Sequence, residues 1–230
     1  MKRLLLLAGA FTILGVPWAN ATVEIRAYNT AGGGDTGWIV CPDPSCGFNM
    51  LAVGNYTVTA SLAVKNDGFN PFLDLSYSAT NGVVAVPGTI IFEALADGYS
   101  VNSPQYQIIA SGNGQGGTFS TTAYGGNNNS LCAAGVNACW VPAPNGTASA
   151  FLASVGPLAN THYDQTVTGA VGNTANPYSL GLVVSLTPSK KGTSSGDIML
   201  NAVPEPASVT LLGGVLLFGM TLLRRKVRRS

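Results

Sequence analysis

Apolar and polar residues alternate with a period of two along much of this chain, the signature of strands with one buried face. Val23, Ile25 and Ala27 alternate with Glu24, Arg26 and Tyr28. Tyr56, Val58, Ala60, Leu62 and Val64 alternate with Thr57, Thr59, Ser61 and Ala63, as in a half-buried antiparallel strand. Leu73, Leu75, Tyr77 and Ala79 form the apolar face of a third, with Asp74, Ser76 and Ser78 turned outward. Tyr178, Leu180, Leu182, Val184 and Leu186 make the cleanest alternation, and Ile198, Leu200 and Ala202 end the series. Further strands are predicted over 83–86, 89–95, 105–110, 118–124, 140–144, 147–155 and 161–167. Turn signals divide them: Asn66-Asp67-Gly68, Pro87-Gly88, Asp97-Gly98 and Asn81-Gly82, a strong hairpin signal. Gly125 to Ala138 reads as an exposed excursion, and Val155 to Asn160 is compatible with a helical turn. No long amphipathic helix and no solenoid or propeller repeat is visible between the ends. The expected fold is mainly β, an antiparallel β-sandwich or jelly-roll-like domain.

Two stretches break the period, one at each end. Lys2 and Arg3 precede an apolar run from Leu4 to Val16, Pro17 interrupts it, and Ala19-Asn20-Ala21 offers a small-x-small cleavage site. These are the parts of a signal peptide over 1–21, with the cut expected after Ala21. At the other end, Ala207 to Leu223 is 17 residues without a charge. As a helix it is about 26 Å long, at the short end of what crosses a bilayer. Pro206 suits a first helical turn and Glu205 suits the positive end of the helix dipole. Arg224, Arg225, Lys226, Arg228 and Arg229 follow. Such a cluster stays on the cytoplasmic side, so the preceding domain is expected across the membrane. A buried core helix would not end in five cations.

Pro204-Glu205-Pro206, the apolar stretch and the Arg-rich terminus together resemble the PEP-CTERM sorting signal of exported bacterial proteins. The resemblance spans about the last 28 residues, 204–230 being the signal proper. It implies an exosortase, a membrane-embedded cysteine protease-transpeptidase, as processing partner, with Pro204, Glu205 and Pro206 as the recognised residues. It also implies a Gram-negative source that makes exopolysaccharide and biofilm or floc matrix. The other partners expected are the Sec translocon, signal peptidase and, transiently, membrane lipid. The expected location is the inner membrane as a single-pass intermediate, then the cell surface or extracellular matrix.

The net charge of +1 conceals a segregation. Residues 22–203 hold four basic residues, Arg26, Lys65, Lys190 and Lys191, against nine carboxylates, a balance of −5. Such a domain has no basic footprint for nucleic acid. Glycine is about twice as frequent in this middle section as the usual ~7 %, which favours tight turns. Cys41 and Cys46, and Cys132 and Cys139, each flank a short loop. Local pairs 41–46 and 132–139 are the expected disulfides of an oxidising compartment. Four connected thiolates around a metal are the rival arrangement, although the spacing is looser than zinc sites favour.

Catalytic patterns are sparse. His162 is the single histidine, and a triad would have to use it with Asp164, yet no Gly-x-Ser-x-Gly marks a nucleophile. Asp74 and Glu93 are conceivable as a glycosidase pair, but lone carboxylates on outward strand faces are more often solvated. Asp67, Asn70 and Asp74 carry oxygen ligands without the loop pattern of a calcium site. Neither a cofactor nor a metal is expected. Trp38, Trp140, Tyr99, Tyr106 and Tyr124 lie in or beside loops, where exposed rings can stack on sugars. Trp38 and Trp140 are the foremost candidates, and core packing is the commoner fate of such rings. The expectation is therefore an exported, non-enzymatic structural or adhesive protein. A module binding exopolysaccharide is the alternative, and a secreted hydrolase using His162 the more remote one.

Overall fold

The computed structural model describes residues 22–31, 33–41, 44–65, 71–82, 88–99, 105–127, 149–170 and 178–203. Both sorting ends, Trp140, Cys132 and Cys139 lie outside these residues, as do the strands expected at 83–86 and 140–144.

Twelve strands are described: β1 Val23–Asn29, β2 Ile39–Cys41, β3 Ser45–Val53, β4 Tyr56–Lys65, β5 Phe72–Asn81, β6 Ile90–Tyr99, β7 Gln105–Asn113, β8 Thr118–Asn127, β9 Ser149–Ala159, β10 His162–Ala170, β11 Tyr178–Thr187 and β12 Gly192–Ala202. They form two antiparallel six-stranded sheets. Sheet A has the order β2-β1-β6-β11-β8-β9 and sheet B the order β10-β7-β12-β5-β4-β3. The alternating apolar positions named above point inward and make one core: Val23, Ile25, Leu180, Leu182 and Phe92 from sheet A meet Leu62, Leu73, Leu75, Ile198 and Leu200 from sheet B. This face-to-face packing of two antiparallel sheets is a β-sandwich.

Aromatic rings join the two layers. Tyr77 of sheet B lies 5.1 Å from Phe92 of sheet A, and Tyr163 of sheet B stacks on Phe119 of sheet A at 3.9 Å. The Tyr77 and Tyr163 hydroxyls are hydrogen-bonded to each other, as are those of Tyr106 and Tyr178, and Tyr99 donates to the Phe72 carbonyl at 3.0 Å. Buried phenols need such partners. Tyr99 and Tyr106, expected beside loops, are wholly buried core residues that offer no face to a sugar. Gly196 is required by the first pair, since a Cβ there would sit on the Tyr163 hydroxyl and 2.6 Å from that of Tyr77.

Four local expectations are corrected. Asn81-Gly82 does not close a hairpin: β5 ends there in sheet B and β6 begins in sheet A, because β5 is already paired with β4 and β12 on its two sides. Asp97-Gly98 is no turn but an irregularity within β6, where the register against β11 shifts and Gly98 takes φ 85°. Residues 155–159, compatible with a helical turn, continue β9. The start of the expected excursion at 125–127 belongs to β8. One hairpin went unanticipated, Gly54-Asn55 between β3 and β4, with φ 62° at Gly54 supplying the conformation a two-residue turn needs.

The Cys41–Cys46 disulfide is present, with Cα atoms 5.4 Å apart. It joins the end of β2 in sheet A to the start of β3 in sheet B, so it staples the two layers along one side of the sandwich.

Candidate binding site

The densest chemistry among the described residues lies on the outer face of sheet A. Period-two alternation in β1 turns Glu24, Arg26 and Tyr28 outward, and antiparallel register sets Arg26 opposite Glu93 and Glu24 opposite Leu95 on β6. The chain then loops back, and Asp35 bridges to Tyr28. Arg26 grips the Asp35 carboxylate with two nitrogens, one of them Nε at 2.9 Å. Its guanidinium lies 4.7 Å from the centre of the Tyr28 ring and 5.8 Å from that of Trp38. Planar, weakly hydrated guanidinium is suited to this stacking.

Glu93 is the unusual member. It is 4 % exposed although it sits on an outward strand position. Tyr28 donates its hydroxyl to Oε1 at 3.3 Å, while Oε2 has Arg26 Nη1 at 3.8 Å and makes no hydrogen bond. Burial pushes its carboxyl up to about 7, and the nearby Arg26 charge only partly opposes this. Tyr28 is pushed up to about 12 by burial and then by the Glu93 charge. Asp35 moves the other way, held below the usual carboxylate range mainly by its Arg26 hydrogen bond. Further along the same face, burial followed by repulsion from Glu24 raises Asp97 to about 7, and burial raises Glu24 as well. Trp38 is half-buried, and its indole nitrogen is enclosed without an acceptor. The cluster thus offers two aromatic faces, a cation already saturated by Asp35, and a carboxyl that changes charge near neutral pH.

The outer face of sheet B is chemically different. In register across five strands run Asp164, Ser111, Asp197, Ser76 and Ser61, and beside them His162, Asn113, Ser195, Ser78 and Thr59. Most are at least partly exposed. Within this field Asp74 and Asp197 form a close carboxyl pair; Asp74 is raised to about 6 by burial first and by Asp197 second. Ser76 donates to Asp197.

Trp38 therefore joins a real cluster, but one built from Arg26, Tyr28, Asp35 and Glu93, whose period-two spacing and i-to-j pairing carried no local flag. Asp74 and Glu93 are on opposite outer faces with the core between them, so they are not a glycosidase pair. Glu93 is also not solvated, contrary to its outward position. Asp74 pairs with Asp197, while Asp67 and Asn70 lie outside the described residues. His162 is exposed, shares its strand face with Asp164, and has its Nδ1 3.0 Å from Asn113 Oδ1.

No protein-family model matches this chain, and no curated protein does. Among solved structures, the enzymatically active domain of bacteriophage CBA120 tailspike protein 4 is similar over 65 % of this chain and 19 % of that one, at 14 % identity and a TM-score of 0.32. The overlap is a small part of that protein, and a likeness of this size carries no argument.

Proposed function

We propose that this is an exported bacterial surface or matrix protein with a structural or adhesive, non-enzymatic role, sorted by its C-terminus. The observation that carries the reading is the order Pro204-Glu205-Pro206, uncharged Ala207–Leu223, then Arg224, Arg225, Lys226, Arg228 and Arg229. Residues 1–21 supply export, and an exosortase-like transpeptidase recognises the Pro-Glu-Pro segment and processes the tail. The Cys41–Cys46 bridge supports the reading, since such bonds persist in oxidising compartments. Among the described residues no helix is long and apolar enough to cross a membrane, and 207–223 lies outside them. Removal of 204–230 is expected to divert the protein to the periplasm or medium. Intact-mass measurement on cell-surface material would give both cut sites, and sorting unchanged by the deletion would refute the proposal.

A second reading, binding of exopolysaccharide, is favoured by the half-buried Trp38 beside Arg26 and Tyr28. Sugar rings stack on such aromatic faces while carboxyls take up hydroxyl hydrogen bonds. Glycan-array signal that is lost in Trp38→Ala with an unchanged melting temperature would support this reading. A silent array with the folded wild-type protein would remove it.

A further inference from the structure

A sandwich of two open sheets has four edge strands, and natural proteins interrupt such edges because their free N–H and C=O groups template pairing with other chains. Among the described residues, three of the four edges carry an interruption. β2 is three residues long and ends in the disulfide. β3 is bulged at Asn49-Met50, where Met50 takes φ 53°. β9 is bulged twice against β8 and carries Pro157. The fourth, β10, has none of these. It runs nine residues in unbroken register with β7, from His162↔Asn113 to Ala170↔Gln105. It has no proline and no lysine, and Asp164 is its one formal charge. Asp164, Gln165, Thr166 and Thr168 are exposed.

The hydrogen-bond phase of this edge can be read. Gly114 N–H donates to the Thr161 carbonyl at 2.9 Å. In an antiparallel ladder that makes the odd-numbered residues of β10 the ones bonded to β7, and directs the backbone groups of His162, Asp164, Thr166, Thr168 and Ala170 to the open side. These positions are symmetric about Thr166.

We propose that two copies of this chain pair β10 to β10 about a two-fold axis at Thr166, fusing their B sheets into one of twelve strands. The self-pairing register is specified by the residues. With the axis at Thr166, all nine residues overlap, His162 faces Ala170, Asp164 faces Thr168, and Thr166 meets its own copy. Every outward N–H then finds an outward C=O. An axis at Asp164 would bring the two carboxylates face to face, which is destabilising across strands. Charge thus disfavours the axis at Asp164, and overlap favours Thr166 over axes at Gln165 or Val167, which each leave two residues of the strand unpaired. The interface is isologous, as two-fold assembly requires. This assembly goes beyond the sorting reading and is independent of it, because it concerns the purified chain and not its delivery.

The test is sedimentation of the full chain in density-matched detergent, combined with amide hydrogen exchange. A dimer should grow with concentration, and the amides of Asp164, Thr166 and Thr168 should become protected in step with it. Thr166→Lys places two ammonium groups across the axis, and Thr166→Pro removes an outward N–H that β7 does not use. Both should abolish the dimer while leaving the melting temperature of the monomer unchanged. Thr80→Lys, on an interior strand of the same face, should leave it intact. A wild-type chain that stays monomeric at every concentration would overturn the proposal. So would a dimer that survives both Thr166 variants, or amide protection at 164, 166 and 168 in the monomer, which would mean another segment already occupies the edge.

Discussion

The outer faces of the two sheets arise from the same alternation and end up with opposite characters. On sheet B the outward residues are mostly serine, threonine, asparagine and aspartate, interrupted by Phe72, Ile109 and Met199. They interact in short hydroxyl bridges such as Thr80 with Thr193 at 2.8 Å, and among the described residues Asp74 is the one carboxyl raised by burial there. On sheet A the outward residues include Glu93, which is buried, and Arg26, which is held by Asp35, Tyr28, Trp38 and Glu93 together. An outward strand position is therefore a direction and not an environment. A carboxylate on either face has the same address in the strand, but its charge costs little in water and several kcal/mol where water is excluded.

Arg26→Ala breaks the contrast most severely, because it leaves Glu93 buried without its cation and frees the loop held through Asp35. A loss of about 3 kcal/mol is expected at pH 8, the scale for removing one member of a buried ion pair. The loss should be smaller at pH 5, where Glu93 is protonated, and denaturant unfolding at both values checks it.

The next effect is a pH dependence of the wild-type protein. Glu93 and Asp97 at about 7 and Asp74 at about 6 all lie above their unfolded values. The folded state binds more protons than the unfolded state between about pH 4 and 7, so stability is greatest on the acid side of that window and falls as pH rises through it. Asp35, lowered by Arg26, opposes this only at still lower pH. Glu93→Gln should flatten the curve by roughly 2 kcal/mol between pH 5 and 8, the scale of its shift. A wild-type profile that rises from pH 5 to 7 would contradict the assignment of Glu93 as a buried acid.

Sheet B should respond weakly. Asp197→Asn removes the charge that repels Asp74, and thermal melting at pH 7.5 should show a change of about 1 kcal/mol or less, toward greater stability. Ser78→Ala, in the hydroxyl field with no buried partner, should stay within about 0.5 kcal/mol. A large loss there would mean that this face is covered like the other.

Several elements are legible in the sequence. β1, β4, β5 and β11 show clean alternation in the sequence, and the apolar residues of that pattern are the buried ones, although Asn29 and Asn81 at strand ends are buried too and the first five residues of β11 are buried on both faces. β3 was not legible: its bulge at Asn49-Met50 shifts the phase in mid-strand, so Phe48 and Val53 face the core while the residues between them do not. Trp38 stood out as an aromatic near a loop, but nothing local linked it to Glu93, 55 residues away. The Asp74 and Asp197 pair is separated by 123 residues and exists because β12 inserts between β5 and β7.

The local pattern by itself determined which side of most strands is apolar, where many of them end and that Cys41 can reach Cys46, because a pleat of period two and a short covalent loop are satisfied within a few residues. Only the tertiary structure decided the strand order, the crossing from β5 to β6 between sheets, the enclosure of Glu93 and the edge position of β10 among the described strands. Those depend on which distant segments compete for the same ladder of hydrogen bonds, and on where water is excluded once the winners have paired.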